Sequence, residues 1–329
     1  MFIARDKAWM NWKENVCFIA SEVLYMLSWY SIRFQKNKIL PLLQKVESVS
    51  KPFEALKIDI LVGIVFCSYF VFFPLVLTTA SDKEFRMTYT LYFMYGFDYG
   101  SDAFKDVYVF VKLISMMSFI PFCIFTVLML YLVISFYLSL SLEEFKRAIV
   151  ISSSQEFVNS LPTLTKKYDR ILNVLREFQD TFSLTSFFLC LGHIAVSFTT
   201  ISFLLLFPNF VDAMVLFERL YVFLTSTISI ISLFYIGGQI PVKMAGIRAT
   251  FYAKMVAITP GMLDAESQAR LDILNKLVDL PEIILSGSDI IFYTKTNIFG
   301  TLGSFVTYSL LLLQFKHEDI PNGNDERAN

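Results

Sequence analysis

Charge is scarce in this chain of 329 residues: 17% are Asp, Glu, Lys or Arg, against about a quarter in an ordinary soluble domain. That shortage excludes the usual water-facing surface. A net charge of −1 also leaves no basic footprint for a nucleic acid, so none is expected as a partner. Histidine is rarer still, with two in the whole chain. Metal-ligand spacing, a nucleophile elbow and a phosphate loop are all missing. No enzymatic activity, metal or cofactor is therefore expected, and the acidic pair Glu143-Glu144 reads as a solvated helix end. Cysteine is confined to Cys17, Cys67, Cys123 and Cys190, each inside an apolar segment, which excludes a disulfide framework and predicts buried free thiols. No N-x-S/T site occurs. The first residues lack the charged, apolar, small-residue order of a secretory signal, so Met1 is taken as part of the working protein.

What the chain does contain is apolar surface: 55% hydrophobic residues, with 35 Phe and 16 Tyr, and a mean hydropathy of +0.57. Crossing the hydrocarbon core takes about 20 mostly apolar residues in a helix. Five runs meet or nearly meet this, at 58–79, 107–140, 182–207, 216–240 and 296–315, and a weaker one at 16–30 carries Glu22. The runs are continuous and do not alternate with a period of two, which disfavours strands. The fold class predicted is an all-α polytopic membrane protein with about six spans. Run 107–140 has no turn cluster, and as one helix it reaches about 51 Å, so a single long helix kinked at Pro121 is expected.

Lys and Arg in the connections set the orientation. Between the first and second segments lie Arg33, Lys36, Lys38, Lys45, Lys51 and Lys57, but between the second and third only Lys83, Arg86 and Lys105. The next connection holds Lys146, Arg147, Lys166, Lys167, Arg170 and Arg176; the one after it only Arg219 near its junction; and the last Lys243, Arg248, Lys254, Arg270 and Lys276. This alternation puts the rich connections in the cytosol and both ends of the chain outside. Domain boundaries follow: a transmembrane bundle over 1–240, a cytosolic anchor segment over 241–295, a last helix over 296–315 and an extracellular tail over 316–329.

The cytosolic connections are patterned. Leu164, Tyr168, Ile171, Leu172, Leu175, Phe178 and Phe182 fall on one helical face with charge opposite, and the helix runs directly into the following span. A second helix is expected in AESQARLDILNKLVDL, capped by Asp264 or Thr259. Both read as helices extended below the membrane that pack on each other; lying flat on the bilayer surface is the alternative.

In the last run, Thr307-Tyr308, five mostly aliphatic residues and then Gln314-Phe315 resemble the signature of the insect gustatory receptor family. Tyr168, Leu172, Leu175 and Phe182 agree with that resemblance, as does the stretch holding Gly287, Gly300, Gly303 and Ser304. It covers about residues 140 to 315 and is weak before that. It implies a chemosensory, ligand-gated, non-selective cation channel of seven helices, assembled as a homo- or heterotetramer in the plasma membrane of sensory neurons. Its C-terminus would be extracellular, its cytosolic extensions would form an anchor, and each last helix would line the pore. With six spans counted here, the family's first helix is expected to be missing.

On a helix, Thr307, Leu310, Leu311, Gln314 and His317 share one face. From residue type alone, Gln314 suits an aqueous pore and a hydrogen bond to a neighbouring helix equally well. The resemblance favours the pore, with Thr307, Leu310, Leu311, Gln314 and Phe315 as its lining and monovalent or divalent cations as permeant ions. Tyr308 points elsewhere and is expected to pack between helices with its hydroxyl bonded. A small organic tastant suits the aromatic and hydroxyl-bearing positions Tyr69, Phe70, Phe73, Tyr108, Phe203, Phe207, Tyr221 and Thr227. Glu22 and His193 are ionisable groups within spans. A transporter, a G-protein-coupled receptor and a non-functional truncated family member are the competing readings.

Overall fold

The computed structural model describes residues 2–49, 120–206, 213–258 and 265–318, together with 101, 103, 104, 107, 108 and 111. Its elements in order are α1 (Phe2–Phe34), α2 (Lys36–Val49), α3 (Ile120–Ile151), α4 (Ser154–Leu206), α5 (Ala213–Gly237), α6 (Gln239–Val256), α7 (Ala265–Val278), β1 (Ser286–Gly287), β2 (Ile291–Phe292) and α8 (Lys295–Glu318). Among the described residues, four stretches are long and apolar enough to span a membrane: Phe122–Ile151, Ser154–Leu205, Arg219–Val256 and Lys295–Gln314. They coincide with four of the expected runs. The weaker run 16–30 lies within α1, which packs on α3 and α4, and run 58–79 lies outside the described residues.

Helix α4 organises the rest. It has 53 residues, about 80 Å at 1.5 Å per residue, against a hydrocarbon core of about 30 Å. More than half of it must therefore project from the bilayer. It touches α1, α2, α3, α5, α7, α8 and β1. Its start is fixed by a capping box: the Glu156 amide donates to the Ser153 hydroxyl at 3.3 Å, and the Ser153 amide donates to the Glu156 carboxylate at 2.8 Å. Those bonds, the amide's first, hold the Glu156 carboxyl below its usual range. The amphipathic stretch and the span after it form one continuous helix, and all seven residues of the predicted face, from Leu164 to Phe182, are buried.

Below the span, Phe145 of α3 stacks on Tyr168 with ring centroids 4.8 Å apart, and Phe157 packs on Phe251 of α6 at 6.3 Å. Burial pushes the Tyr168 phenol up to about 12. The second expected helix is α7, whose predicted caps Thr259 and Asp264 lie outside the described residues. It packs on α4 and α6 through Leu271, Leu274 and Val278.

The carbonyls at the end of α7 are taken up by Arg248, which donates to Val278 O at 3.2 Å and Leu280 O at 2.7 Å and pairs with Glu282 at 3.2 Å. Arg248→Ala is expected to cost about 2 kcal/mol after screening, seen as a lower melting temperature of the purified protein. Arg248→Lys should recover little, because a single ammonium cannot replace the guanidinium fork.

One expectation on helix limits changes, and a second falls at the border of the described residues. The helix predicted to end at residue 140 continues to Ile151, because Leu142, Phe145 and Ile149 are fully buried and extend its core face beyond the membrane. Pro121 is the second described residue of α3, so the predicted kink falls at the border of residues 112–119, which lie outside the description. Cys123 and Cys190 are buried free thiols, as predicted, whereas the side chains of Cys17 and Cys67 are not among those described.

Candidate functional site

Helix α8 is seated by a narrow aromatic edge. Phe305 and Tyr308 meet Phe198 of α4 edge-on at 5.0 and 4.7 Å, and Phe305 also approaches Phe223 of α5 at 6.3 Å. The Tyr308 and Ser202 hydroxyls share a hydrogen bond of 2.9 Å, which fulfils the expectation for Tyr308. Ile298, Leu302 and Leu312 complete this packed edge. At the base, the Lys295 ammonium lies 5.3 Å from the Tyr235 ring.

The opposite side of α8 is open. In its apolar window 6% of residues are buried, against 50% in α3 and α4, so α8 lies against the bundle and is not enclosed by it. A Cβ placed on Gly300 or Gly303 would meet nothing within 4 Å. Ser304, Thr307, Leu310, Leu311 and Gln314 continue the open stripe at helical spacing. This stripe holds four of the five residues expected to line a pore; the side chain of the fifth, Phe315, lies outside the described residues, as does that of His317.

The polar groups of α8 are treated unequally. Thr301, Ser304, Thr307 and Ser309 each donate to the carbonyl four residues back, at 2.7–2.9 Å. Their protons are satisfied within the helix, and their lone pairs remain available. Gln314 is exposed and makes no hydrogen bond among the described residues. Its amide is the unsatisfied polar group at the end of the stripe.

A second feature lies between the helices. The His193 ring nitrogen Nδ1 and the Tyr25 hydroxyl of α1 are 2.9 Å apart, with their rings edge to face. Nearby, Ser28 donates to Thr185 O at 3.1 Å and Thr185 donates to Ser31 at 3.0 Å. Among the described residues, His193 Nε2, Ser197 Oγ and Thr227 Oγ1 are buried without a hydrogen-bond partner. Leaving such groups unpaired costs free energy.

Of the positions expected to meet a small ligand, Thr227 belongs to this set. Phe203 lies under Arg219 at 4.8 Å, Tyr221 is half-buried on α5, and Tyr108 stacks on Phe104 at 6.5 Å. Glu22 is half-buried on α1. Tyr69, Phe70, Phe73 and Phe207 lie outside the described residues. Tyr25 and Ser197 were not singled out from sequence. Polar residues four apart in an apolar run, His193 with Ser197, are the signal that marks the second of them.

A small hairpin links the lower core to α8. Strands β1 and β2 pair antiparallel, Ser286 opposite Phe292 and Gly287 opposite Ile291. Ser288 and Asp289 between them take left-handed φ values of 52° and 55°, the conformations of a type I′ turn. Gln179 of α4 holds this hairpin: it accepts from the Ser286 amide at 3.0 Å and donates to Ser286 O at 3.1 Å and to Ser286 Oγ at 2.6 Å. Ser183 accepts from the Ser288 amide at 2.8 Å, and Ser286 donates to Asp289 at 2.8 Å.

No protein-family model matches this sequence, and no curated protein matches it significantly. Its fold is nonetheless similar to solved structures. The insect olfactory receptor OR5 from Machilis hrabei in complex with eugenol aligns with a TM-score of 0.57 and 11% identity, over 94% of this chain and 87% of that one. A second structure of OR5 from Machilis hrabei aligns with a TM-score of 0.56 and 11% identity over the same shares. The chain is thus an all-α, multi-pass membrane protein with the fold of an insect olfactory receptor. The proteins it resembles are receptors, not enzymes.

Proposed function

We propose that this protein is a chemoreceptor that opens as a ligand-gated, non-selective cation channel, and that its role is gustatory. The observation that carries the reading is the open stripe of α8, from Gly300 to Gln314, on the last helix of a fold shared with an insect olfactory receptor. Four such stripes around an axis would line a narrow aqueous path with hydroxyl lone pairs and, at the outer mouth, a ring of Gln314 amides. Leu310 and Leu311 would form the hydrophobic constriction below that ring. The taste assignment rests on the Thr307 to Phe315 signature, which resembles that of gustatory receptors. Orientation with the C-terminus outside, in the plasma membrane of sensory neurons, rests on the Lys and Arg distribution and on the same resemblance.

The ligand in this reading is a small organic tastant with an aromatic body and one or two polar groups. OR5 was solved with eugenol, a molecule of that kind. The His193 imidazole and the Ser197 and Thr227 hydroxyls, on α4 and α5, would supply its polar contacts.

Expression in a heterologous cell with current recording tests the pore. Gln314→Ala is expected to change the reversal potential under biionic conditions or the unitary conductance, and an unchanged current-voltage relation at normal surface expression would refute the pore assignment. Thr227→Val tests the ligand side. Replacing an unpaired buried hydroxyl by a methyl is expected to leave the melting temperature unchanged or slightly raised. Sensitivity to polar agonists should nevertheless fall about tenfold, the worth of one hydrogen bond of about 1.4 kcal/mol.

A further inference from the structure

We infer that the membrane-distal part of α4 carries a binding site for a soluble polyphosphate anion, of the size of a nucleotide or an inositol polyphosphate. The site is a cavity of about 460 Å³ lined by Ser48, Val49, Glu144, Thr163, Lys166, Lys167 and Arg170. That volume is in the range of small-molecule sites, about 300–1,000 Å³. Thr163, Lys166, Lys167 and Arg170 lie three and four residues apart and form one stripe on α4. Glu144 of α3 and the end of α2 make the other walls.

The charge within it is unbalanced. Three cations face one carboxylate, and the sole ion pair is Lys167 with Glu144 at 4.0 Å. Lys166 and Arg170 have no carboxylate partner among the described residues. As like charges four apart on a helix they repel by a few tenths of a kcal/mol. A solvated basic face would bear that cost on a convex surface. Here the exposed Lys166 and Arg170 and the half-buried Lys167 line one open concavity between three helices, where a multivalent anion can reach them through charge-assisted hydrogen bonds. The Thr163 hydroxyl supplies a neutral donor beside them.

Position separates a soluble anion from a lipid headgroup. The apolar run of α4 begins at residue 182, sixteen residues beyond Lys166 and twelve beyond Arg170, which places these cations about 18–24 Å along the helix from the hydrocarbon edge. Screening at physiological salt acts over about 8 Å. A headgroup held in the bilayer is therefore out of reach. The cytosolic source of the ligand rests on the orientation proposed above; the binding itself does not.

The test is calorimetric titration of the purified full chain in detergent with inositol hexakisphosphate, ATP and inorganic phosphate, alongside co-sedimentation with phosphatidylinositol bisphosphate vesicles. Saturable binding of a polyphosphate is expected, weakening as salt rises. Lys166→Gln with Arg170→Gln should weaken it about a hundredfold, each charged contact being worth about tenfold. Glu144→Gln should tighten it by removing the opposing charge. Arg176→Gln, on α4 outside the cavity, should leave it unchanged. The inference fails if no polyphosphate binds at millimolar concentration, if Arg176→Gln weakens binding as much as the cavity variants, if Glu144→Gln weakens it, or if only the vesicles bind. Because binding is measured without current, a failure of the channel reading leaves this result standing, and the reverse holds.

Discussion

Gln179→Leu is expected to detach the base of α8 from α4. Leucine has nearly the volume of glutamine, so packing changes little while the polar contacts disappear. The Ser286 amide and carbonyl, both held by Gln179, would be left without partners in a residue that is 2% exposed. Stranding buried backbone groups costs about 1–3 kcal/mol each, so a loss of about 3–5 kcal/mol is predicted. Thermal unfolding of purified protein should show it directly. If the proposed channel function holds, current recordings should show more, because the hairpin is the segment through which the lower core reaches α8. At matched surface expression, agonist-evoked current is expected to fall severalfold or more. Gln179→Glu separates the parts of the contact: it keeps an acceptor for the Ser286 amide and loses both donors, and should fall between the wild type and leucine. A leucine variant with an unaltered melting temperature would show that the hairpin finds its place without Gln179.

The second large effect is expected at a glycine. A Cβ on Gly287 would lie 2.7 Å from Tyr293 Oη, 2.8 Å from Phe187 Cα and 3.0 Å from Phe187 Cβ. Two of these three atoms belong to the rigid wall of α4, so the alanine side chain cannot be accommodated by a rotamer change. Gly287→Ala is predicted to push the hairpin off α4 at a cost of about 3 kcal/mol, with loss of folded protein measured by monodispersity after detergent extraction. Gly300→Ala and Gly303→Ala make the contrast. Within one subunit their methyl groups enter open space, and alanine is favoured over glycine in a helix by about 1 kcal/mol. Both should be folded and slightly stabilised. In the proposed channel, a loss of conductance in them would point to a neighbouring subunit facing that side of α8, which makes the pair a clean probe of the pore reading.

The parts of this architecture that repeat were legible in the sequence. The buried face of α4 from Leu164 to Phe182 is a helical period written in apolar residues, and the spans are long runs that few other structures tolerate. The open stripe of α8 was legible for the same reason, since Thr307, Leu310, Leu311 and Gln314 share a face by spacing alone. The hairpin was not. A type I′ turn is announced by Asn-Gly or Asp-Gly, and here Ser288-Asp289 occupies the left-handed positions, held by contacts with Ser183 and Ser286 that come only with tertiary structure. The polar seam was half legible. His193 stood out as an ionisable group in a span, but its partner Tyr25 lies 168 positions away in sequence, and no local pattern joins them. The basic cavity was hidden differently: its lysines and arginine were counted for orientation, and only the meeting of α2, α3 and α4 turns that count into a concavity.

The back-bonded hydroxyls of α8 bear on how such a protein is made. In the proposed channel, a helix that lines water must first be delivered into oil, as one chain, before any sister subunit is present. Ser304, Thr307 and their neighbours make this passage with every proton already spent on their own backbone, so the stripe costs little in hydrocarbon. Among the described residues of the stripe only Gln314 carries an unmet demand, and in the proposed orientation it sits at the rim, where lipid headgroups and water can serve it during the wait. The same face that suits a conduit after assembly is thus fit for solitary insertion before it.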